Sequence, residues 1–152
     1  MRRHVLATAV ALLFAGHPSA WADAARAPNY YKLDGGGVHV VYSLANRGGT
    51  ASLTYKDEYR TLRFGPRDIR TARTEIGTLV TVTTYLTVDA GSTTFTLVVP
   101  DVNLGPKPSV PIRTLGITTV HHFSVNPRPG QVEEYAATAL RGTAQERAVP
   151  LG

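Results

Sequence analysis

The sequence contains no cysteine, and beyond residue 22 it contains no methionine and no tryptophan. Without cysteine the chain can form no disulfide, and thiol catalysis, iron–sulfur ligation and a lipid anchor on cysteine are excluded. Without methionine it lacks a soft sulfur ligand for copper, and without tryptophan it lacks an indole on which a sugar or a base could stack. Burial of apolar surface must therefore stabilise the fold, for which a chain of this length suffices.

Long apolar runs are also scarce, and the longest lies at the N-terminus, in MRRHVLATAVALLFAGHPSAWADA. Arg2 and Arg3 precede this run, and residues 20–22 (Ala-Trp-Ala) have the pattern of a cleavage site. The run is too short for a transmembrane helix, and no later segment reaches the roughly 18 apolar residues that such a helix needs. We therefore predict a signal peptide over residues 1–22 and an exported protein, either periplasmic or secreted. The export route, general or twin-arginine, stays open.

Neither sign of charge dominates once this segment is removed. Losing Arg2 and Arg3 leaves 14 basic residues against 11 acidic ones, a net charge of +3. That excess is too small to indicate nucleic-acid binding by itself. We therefore expect no nucleic-acid partner.

Helical periodicity is missing beyond residue 22. Runs of β-branched and aromatic residues alternate with clusters of Gly, Pro, Asn and Asp, a pattern typical of strands joined by turns. We predict a linker over residues 23–36 and a single β domain over residues 37–152. Its strands are expected at residues 37–44, 51–56, 59–64, 67–72, 76–88, 93–99, 111–124 and 131–141.

The clearest hairpin joins VTVTTYLTV to TTFTLVV through the turn DAGS. Pairing Val88 with Thr93, and Val82 with Val99, gives one apolar face and one face rich in threonine. This alternation predicts an antiparallel sheet with one buried and one exposed side.

Several predicted strands are long, which favours a single antiparallel β-barrel of about eight strands. A two-sheet β-sandwich is the alternative. An outer-membrane barrel would share the alternation, but the threonine-rich face of the best hairpin does not suit lipid. The irregular residues 100–111 are expected to cross one end of the barrel.

Two adjacent histidines, His121 and His122, point to opposite faces of a strand and cannot bind one metal ion together. We therefore predict no metal site. A five-residue loop, NPRPG, would place His121 opposite Tyr135 and His122 opposite Glu134. The second pair could act in acid–base chemistry, or form an ordinary cross-strand ion pair.

A second histidine pairing follows from the hairpin around ANRGG. It sets His39 opposite Tyr55, and the apolar neighbours of His39 and His121 suggest that both histidines point inward. Two His–Tyr pairs would then line a ligand cavity; the alternative is that they are satisfied core residues.

Five arginines lie in RTLRFGPRDIRTAR, residues 60–73. Guanidinium groups suit phosphate, sulfate and carboxylate, so Arg63, Arg67 and Arg70 are predicted to bind anions. The alternative is that they are charged edge residues that discourage aggregation.

No nucleophile elbow, catalytic triad or phosphate loop is present, and we predict no cofactor. The function that these features favour is non-enzymatic binding of a small molecule or a protein partner. The alternatives are an enzyme that uses a His/Glu pair, and an interaction module that binds anionic surfaces through its arginines.

Overall fold

The computed structural model describes residues 25–44, 50–87, 91–122 and 132–148. The predicted signal peptide, residues 1–22, lies outside the described residues. Across the described ranges the chain forms strands and no helix, and hence no helix able to cross a membrane. The strands are β1 (Tyr30–Gly35), β2 (Val38–Ser43), β3 (Ser52–Lys56), β4 (Thr61–Phe64), β5 (Ile69–Thr74), β6 (Gly77–Thr87), β7 (Gly91–Pro100), β8 (Ser109–His122) and β9 (Val132–Gln145).

All nine strands belong to one antiparallel sheet that curls into a half-barrel. Their order is β4-β3-β2-β1-β9-β8-β7-β6-β5. Strands that follow each other in sequence are neighbours in the sheet, apart from β4 and β5, which form its two edges. The remaining pair joins β1 to β9. The predicted all-β antiparallel fold is confirmed, and the alternative of two stacked sheets is wrong.

The strands at the two edges, β4 and β5, are separated in the chain by only residues 65–68. Eight antiparallel pairings separate them in the sheet, so both run in the same direction and cannot form an ordinary hairpin. The chain from the end of β4 to the start of β5 spans at most about 17 Å. A flat sheet of nine strands would separate its edges by about 38 Å, so the sheet has to curl.

All eight predicted strands are present, with ends that differ by a few residues. The strand that the sequence reasoning missed is β1, Tyr30–Gly35, which lies inside the predicted linker, residues 23–36. The segment EEYAATALRGTAQER, whose composition favours a helix, forms strand β9 as predicted, except for its last two residues. Its long ladder with β8 outweighs the local propensity.

The β6–β7 hairpin has the predicted faces but not the predicted register. Val82 pairs with Phe95 rather than with Val99, a displacement of four residues. The reason is that Gly91 and Ser92, assigned to the turn, belong to β7, and a bulge between Tyr85 and Thr87 accommodates the change. Because the displacement is even, the apolar face still points to the core.

The core lies on the concave face of the sheet. Tyr55 on β3 packs against Phe95 on β7 with ring centroids 5.0 Å apart, although four strands lie between them in the sheet. Only a curled sheet can bring these two rings together. The buried core residues are Tyr31, Leu33, Val40, Tyr42, Leu53, Tyr55, Phe64, Ile69, Val80, Val82, Phe95, Leu97, Val99, Ile112, Leu140 and Ala144.

Segments outside the strands cover one end of the half-barrel. Leu104, in the irregular link after β7, is buried, and its amide donates to the carbonyl of Arg26 at 2.9 Å. Asn29 is also buried, and its side chain exchanges hydrogen bonds of 2.9 and 2.8 Å with the backbone of Arg147. The segments before β1, after β7 and after β9 are thus joined to one another.

Candidate functional site

The ladder between β8 and β9 is displaced by two residues from the predicted one. It pairs His121 with Glu133, so the predicted pairing of His121 with Tyr135 is wrong. The observed ladder is centred on residue 127, whereas the predicted five-residue loop is centred on residue 128, which displaces every pair by two residues. That loop, residues 126–130, lies outside the described residues.

The predicted pairing of His122 with Glu134 is wrong for the same reason. His122 pairs with Val132, and Glu134 pairs with Val120. His122 and Glu134 are therefore diagonal neighbours on one face of the hairpin. They are not directly opposite each other, as the enzyme hypothesis assumed.

His121 lies on the outer face of the sheet, not in the interior as predicted. The even-numbered residues of β8 and β9 face the core, as the buried Ile112 and Leu140 show, so the odd-numbered residues point away. His121 Nδ1 lies 3.4 Å from Glu133 Oε1, and the exposed Tyr135 donates its hydroxyl to the same carboxylate. That hydrogen bond raises the pKa of the Tyr135 phenol.

His39 is also on the outer face. The β2–β3 ladder pairs Val40 with Tyr55, so the predicted pairing of His39 with Tyr55 is wrong by one residue, which reverses the face of every side chain. His39 Nδ1 hydrogen-bonds to Asp34 on β1 at the exposed surface. The loop used for the prediction, residues 45–49, lies outside the described residues.

Tyr55 is buried, as expected, but without a histidine beside it in the ladder. Burial and the carboxylate of Asp57 raise the pKa of its phenol, while Arg60 and the hydroxyl of Thr118 oppose that increase. Thr118 lies on β8, on the other side of the interior. Tyr55 therefore connects two walls of the core and does not line the predicted His–Tyr cavity.

The three arginines predicted to bind anions lie on consecutive parts of the chain, from β4 through the link to β5. Arg63 lies on β4, Arg67 in the link and Arg70 on β5, and all three are exposed. Arg70 Nη1 donates to the carbonyl of Arg67 at 2.7 Å, which ties two of them to one geometry. We call these three residues the arginine corner.

A cavity of about 180 Å³ opens at the covered end of the half-barrel, between the concave face and the segments before β1 and after β7. We call it the tyrosine cavity. Its lining includes polar and apolar side chains, among them Ala27, Tyr31, Tyr42, Arg73, Val99 and Asp101.

The two tyrosines of this cavity are neighbours on β1 and β2. Tyr31 and Tyr42 pair in the ladder, and their stacked rings have centroids 6.0 Å apart. Burial raises the pKa of both phenols, and that of Tyr31 reaches about 12 because Tyr42 and Asp101 add unfavourable charge. Both phenols therefore stay neutral at physiological pH and can donate a hydrogen bond.

An ion pair forms the polar side of the tyrosine cavity. Arg73 Nη2 on β5 lies 2.6 Å from Asp101 Oδ2 in the link after β7, and both side chains are more than half exposed. Arg73 Nη1 lies 3.4 Å from the hydroxyl of Thr78. An apolar wall, two phenols and one cation–carboxylate pair form the mixture that positions small polar ligands in proteins.

Sequence reasoning did not single out this cavity, because its residues come from three segments that we interpreted separately. Tyr31 was placed in the linker, Arg73 in the arginine run and Asp101 in the irregular link. One signal was available: Tyr31 and Leu33 alternate with polar residues just before the turn Asp34-Gly-Gly-Gly, a short hairpin pattern.

Across the described ranges no three His, Asp or Glu side chains come close enough to hold a metal ion. No family model, curated protein or solved structure matches the chain. The geometry of the tyrosine cavity and of the arginine corner is therefore the basis for a functional proposal.

Proposed function

We propose that the chain is an exported, non-enzymatic binding protein whose tyrosine cavity holds a small polar molecule. The observation that carries this proposal is the meeting of two buried phenols and an arginine–aspartate pair in one cavity of about 180 Å³. Binding is favoured over catalysis because His122 and Glu134, the expected acid–base pair, are not directly opposite each other.

The volume of the tyrosine cavity limits the size of the ligand. About 180 Å³ holds about six water molecules at roughly 30 Å³ each. Pockets for drug-sized molecules begin at about 300 Å³. We therefore expect a ligand smaller than most drugs.

The polar side chains of the tyrosine cavity limit which functional groups the ligand carries. Arg73 favours a carboxylate or carbonyl oxygen, and Asp101 favours an N–H group. Tyr31 and Tyr42 supply neutral hydroxyl donors beside an apolar wall. A small amide or an amino-acid-like zwitterion offers the matching groups.

Native mass spectrometry of the protein purified from its own compartment is the first test, since a small co-purifying mass would identify the ligand class. An NMR titration with small amides and amino acids then locates the site. In the wild type, the amides of Tyr31 and Tyr42 should shift. Arg73→Ala should weaken binding at least tenfold.

Arg70→Ala is the matched control, because Arg70 is exposed on the same strand and does not line the cavity. It should bind like the wild type. Equal loss in the Arg73 and Arg70 variants, or no shift at either tyrosine with any probe, would contradict the proposal.

Export is part of the same proposal and rests on the pattern of residues 1–22. Cleavage after Ala22 would leave 130 of the 152 residues. N-terminal sequencing of the protein recovered from the periplasm or medium should begin at Asp23. Recovery of the intact chain in the cytoplasm alone would refute export.

We also propose that the half-barrel behaves as a closed barrel wall at the β4–β5 corner. Phe64 and Ile69, which flank the corner, are both buried. Because β4 and β5 run in the same direction and are joined by four residues, they cannot pair along their length, and the wall would close through side-chain packing of Phe64 and Ile69. Nuclear Overhauser contacts between these two side chains should then be observed. Their absence would leave only the half-barrel.

A second candidate function uses the arginine corner, because Arg63, Arg67 and Arg70 are all exposed and lie within eight positions of sequence. Such a cluster would bind an anionic glycan, headgroup or acidic protein surface, with an affinity that falls as salt increases. Replacing the three arginines by Ser should abolish salt-dependent retention on an anionic matrix.

The control removes the same charge elsewhere, at Lys32, Lys56 and Lys107, which are all exposed. This lysine variant should be retained nearly as long as the wild type. If the two triple variants elute together, retention reflects net charge and the corner is not a site.

A further inference from the structure

The ladder between β7 and β8 covers only part of these two strands. It ends at the pair of Leu97 with Gly116, whereas β7 continues to Pro100 and β8 begins at Ser109. Beyond that pair each strand follows its other neighbour, β6 or β9. A groove of about 240 Å³ lies between them at this point, on the outer, convex face of the sheet. We call it the outer groove.

The walls of the outer groove are mainly apolar. They are formed by Ile76, Val98, Pro100, Arg113, Thr114 and Leu115. Ile76 is 71% exposed and Leu115 is 49% exposed, so both present apolar surface to solvent. The hydroxyl of Thr114 donates to the carbonyl of Val98 and is thereby occupied. Arg113 is the only charged side chain among the described residues that line the groove.

A second arginine stands directly beside Arg113. The β8–β9 ladder pairs Arg113 with Arg141, and both side chains are exposed on the outer face. Like charges in this position are unfavourable, because their Cβ atoms are only about 5 Å apart. Asp34 follows Arg141 along the row, but its carboxylate bonds to His39. Within the described residues neither arginine belongs to an ion pair, so an anion bound to both would relieve their repulsion.

We propose that the outer groove binds a single-chain amphiphile with a phosphate head group. The phosphate lies over Arg113 and Arg141, and the apolar chain follows the groove past Leu115 towards Ile76. Arg113 serves both parts of the ligand, since the methylene groups of an arginine line apolar surface while its guanidinium contacts an anion.

Two adjacent arginines favour a phosphate over a carboxylate. One guanidinium forms two parallel hydrogen bonds with a carboxylate and so uses both of its oxygens. A phosphate monoester has three terminal oxygens and a charge of about −1.5 to −2 at pH 7. It therefore accepts hydrogen bonds from two guanidinium groups at once and offsets the charge of both.

The size of the outer groove limits the apolar part of the ligand. Its volume of about 240 Å³ is below the roughly 300 Å³ at which pockets for drug-sized molecules begin. From β8 to β6, next to Ile76, the groove crosses two strand spacings, or about 10 Å. This space suits one short alkyl chain and not the two acyl chains of a membrane lipid. The convex curvature of the sheet also limits its contact with a flat membrane.

Titration with octyl phosphate below its micelle concentration, followed by NMR, tests the inference. The amides of Leu115 and Arg141 should shift. Octyl phosphate should bind more tightly than inorganic phosphate, which lacks the chain, and than octyl glucoside, which lacks the charge. From butyl to octyl phosphate the affinity should rise about two- to fourfold per methylene group, because each one leaves water. Equal affinity across the series would overturn the inference.

Variants of exposed residues separate the two parts of the site. Arg141→Gln should weaken the binding of octyl phosphate at least tenfold. Leu115→Ser should remove most of the gain with chain length and leave the binding of inorganic phosphate unchanged. If Leu115→Ser fails to fold, Ile76→Ser replaces it. Tyr85→Ser is the matched control, because Tyr85 is 74% exposed and lies outside the groove, and it should bind like the wild type.

Three further results would contradict the inference. Arg67→Gln, in the arginine corner, could weaken binding as much as Arg141→Gln, which would place the phosphate at the corner. Octanoate could bind more tightly than octyl phosphate. The protein could bind vesicles that contain phosphatidic acid but not monomeric octyl phosphate, which would indicate a membrane surface instead. The inference does not rest on the tyrosine cavity, because Arg141 and Leu115 lie outside that cavity and Arg73 lies outside the groove.

Discussion

Gly116 lies where two aromatic rings meet in the core. A Cβ atom at this position would lie 2.8 Å from Phe95 Cε2 and 3.0 Å from Leu140 Cδ1. The missing side chain is therefore what lets the ring of Phe95 lie against β8 and still contact Tyr55 across the interior.

Gly116→Ala should lower the free energy of unfolding by about 1–3 kcal/mol, because the added methyl group forces the Phe95 ring out of place. Urea denaturation measures the change. Gly65→Ala is the control, since the nearest atom to its Cβ would be 4.0 Å away, and it should change stability by less than about 0.5 kcal/mol. Equal effects would show that Gly116 has no special packing role.

Tyr31 provides a residue-scale test of the tyrosine cavity. Its pKa of about 12 lies above the ordinary value of 10, because burial, Tyr42 and Asp101 oppose ionisation. Its contribution to stability is therefore fully present below pH 10 and is lost as the pH rises towards 12. In an alkaline titration followed by tyrosinate absorbance, Tyr31→Phe should remove a late-titrating phenol. If Tyr31→Phe instead removed a phenol that ionises near the ordinary value of 10, Tyr31 would not be buried in the folded protein.

The carboxylate of Asp57 holds the β3–β4 turn through hydrogen bonds and an ion pair. The carboxylate of Asp57 accepts from the amides of Tyr59 and Arg60 at 3.0 and 2.8 Å, and Arg60 Nε lies 3.3 Å from its second oxygen. Burial opposes ionisation of Asp57, but these hydrogen bonds and one with Tyr55 outweigh it and lower the pKa of the carboxyl.

Because the folded pKa of Asp57 is below its unfolded value of 3.8, its stabilisation is present above that pH and is lost as the pH falls through the folded pKa. Asp57→Asn should cost about 1 kcal/mol at neutral pH and less in acid. Urea unfolding at both pH values measures this. Glu58→Gln, at the exposed neighbouring position, should leave the acid dependence intact; if it removes the dependence instead, Asp57 is not its source.

At the scale of the single element, features that depend on nearby residues were predicted correctly, and features that depend on how two strands pair were not. Alternation in β6 and β7 predicted the buried face correctly, because the two-residue period is local. The register of the same hairpin depended on a bulge and on two turn residues that joined the strand. In the β2–β3 hairpin an error of one residue was enough to turn His39 from the predicted interior to the surface.

Contacts between the first and the last segments of the described residues hold the half-barrel together. Strand β1 pairs with β9, and Asn29 bonds to Arg147 across 118 positions of sequence. The ring of Tyr30 also lies 3.5 Å from the guanidinium of Arg147. These contacts hold the covered end of the half-barrel, where the tyrosine cavity lies.

Asn29→Ala should lower the free energy of unfolding by about 1–3 kcal/mol, because it removes two hydrogen bonds at a buried position. Asn103→Ala, which removes bonds to the amides of Arg26 and Gly105 at an exposed position, should cost less. Thermal or urea unfolding of both variants makes the comparison. A larger loss at Asn103 would contradict the assigned role of Asn29.

The sequence by itself determined the all-β class, eight of the nine strands and the buried face of the best hairpin, because alternation and turn residues act over a few positions. Only the tertiary structure decided the pairings and the sites. The tyrosine cavity joins Tyr31, Arg73 and Asp101 from three distant segments, and the arginine corner lies where the chain passes from one edge strand of the curled sheet, β4, to the other, β5. Such placements depend on how the nine strands of the described residues curl around one core, which no local pattern encodes.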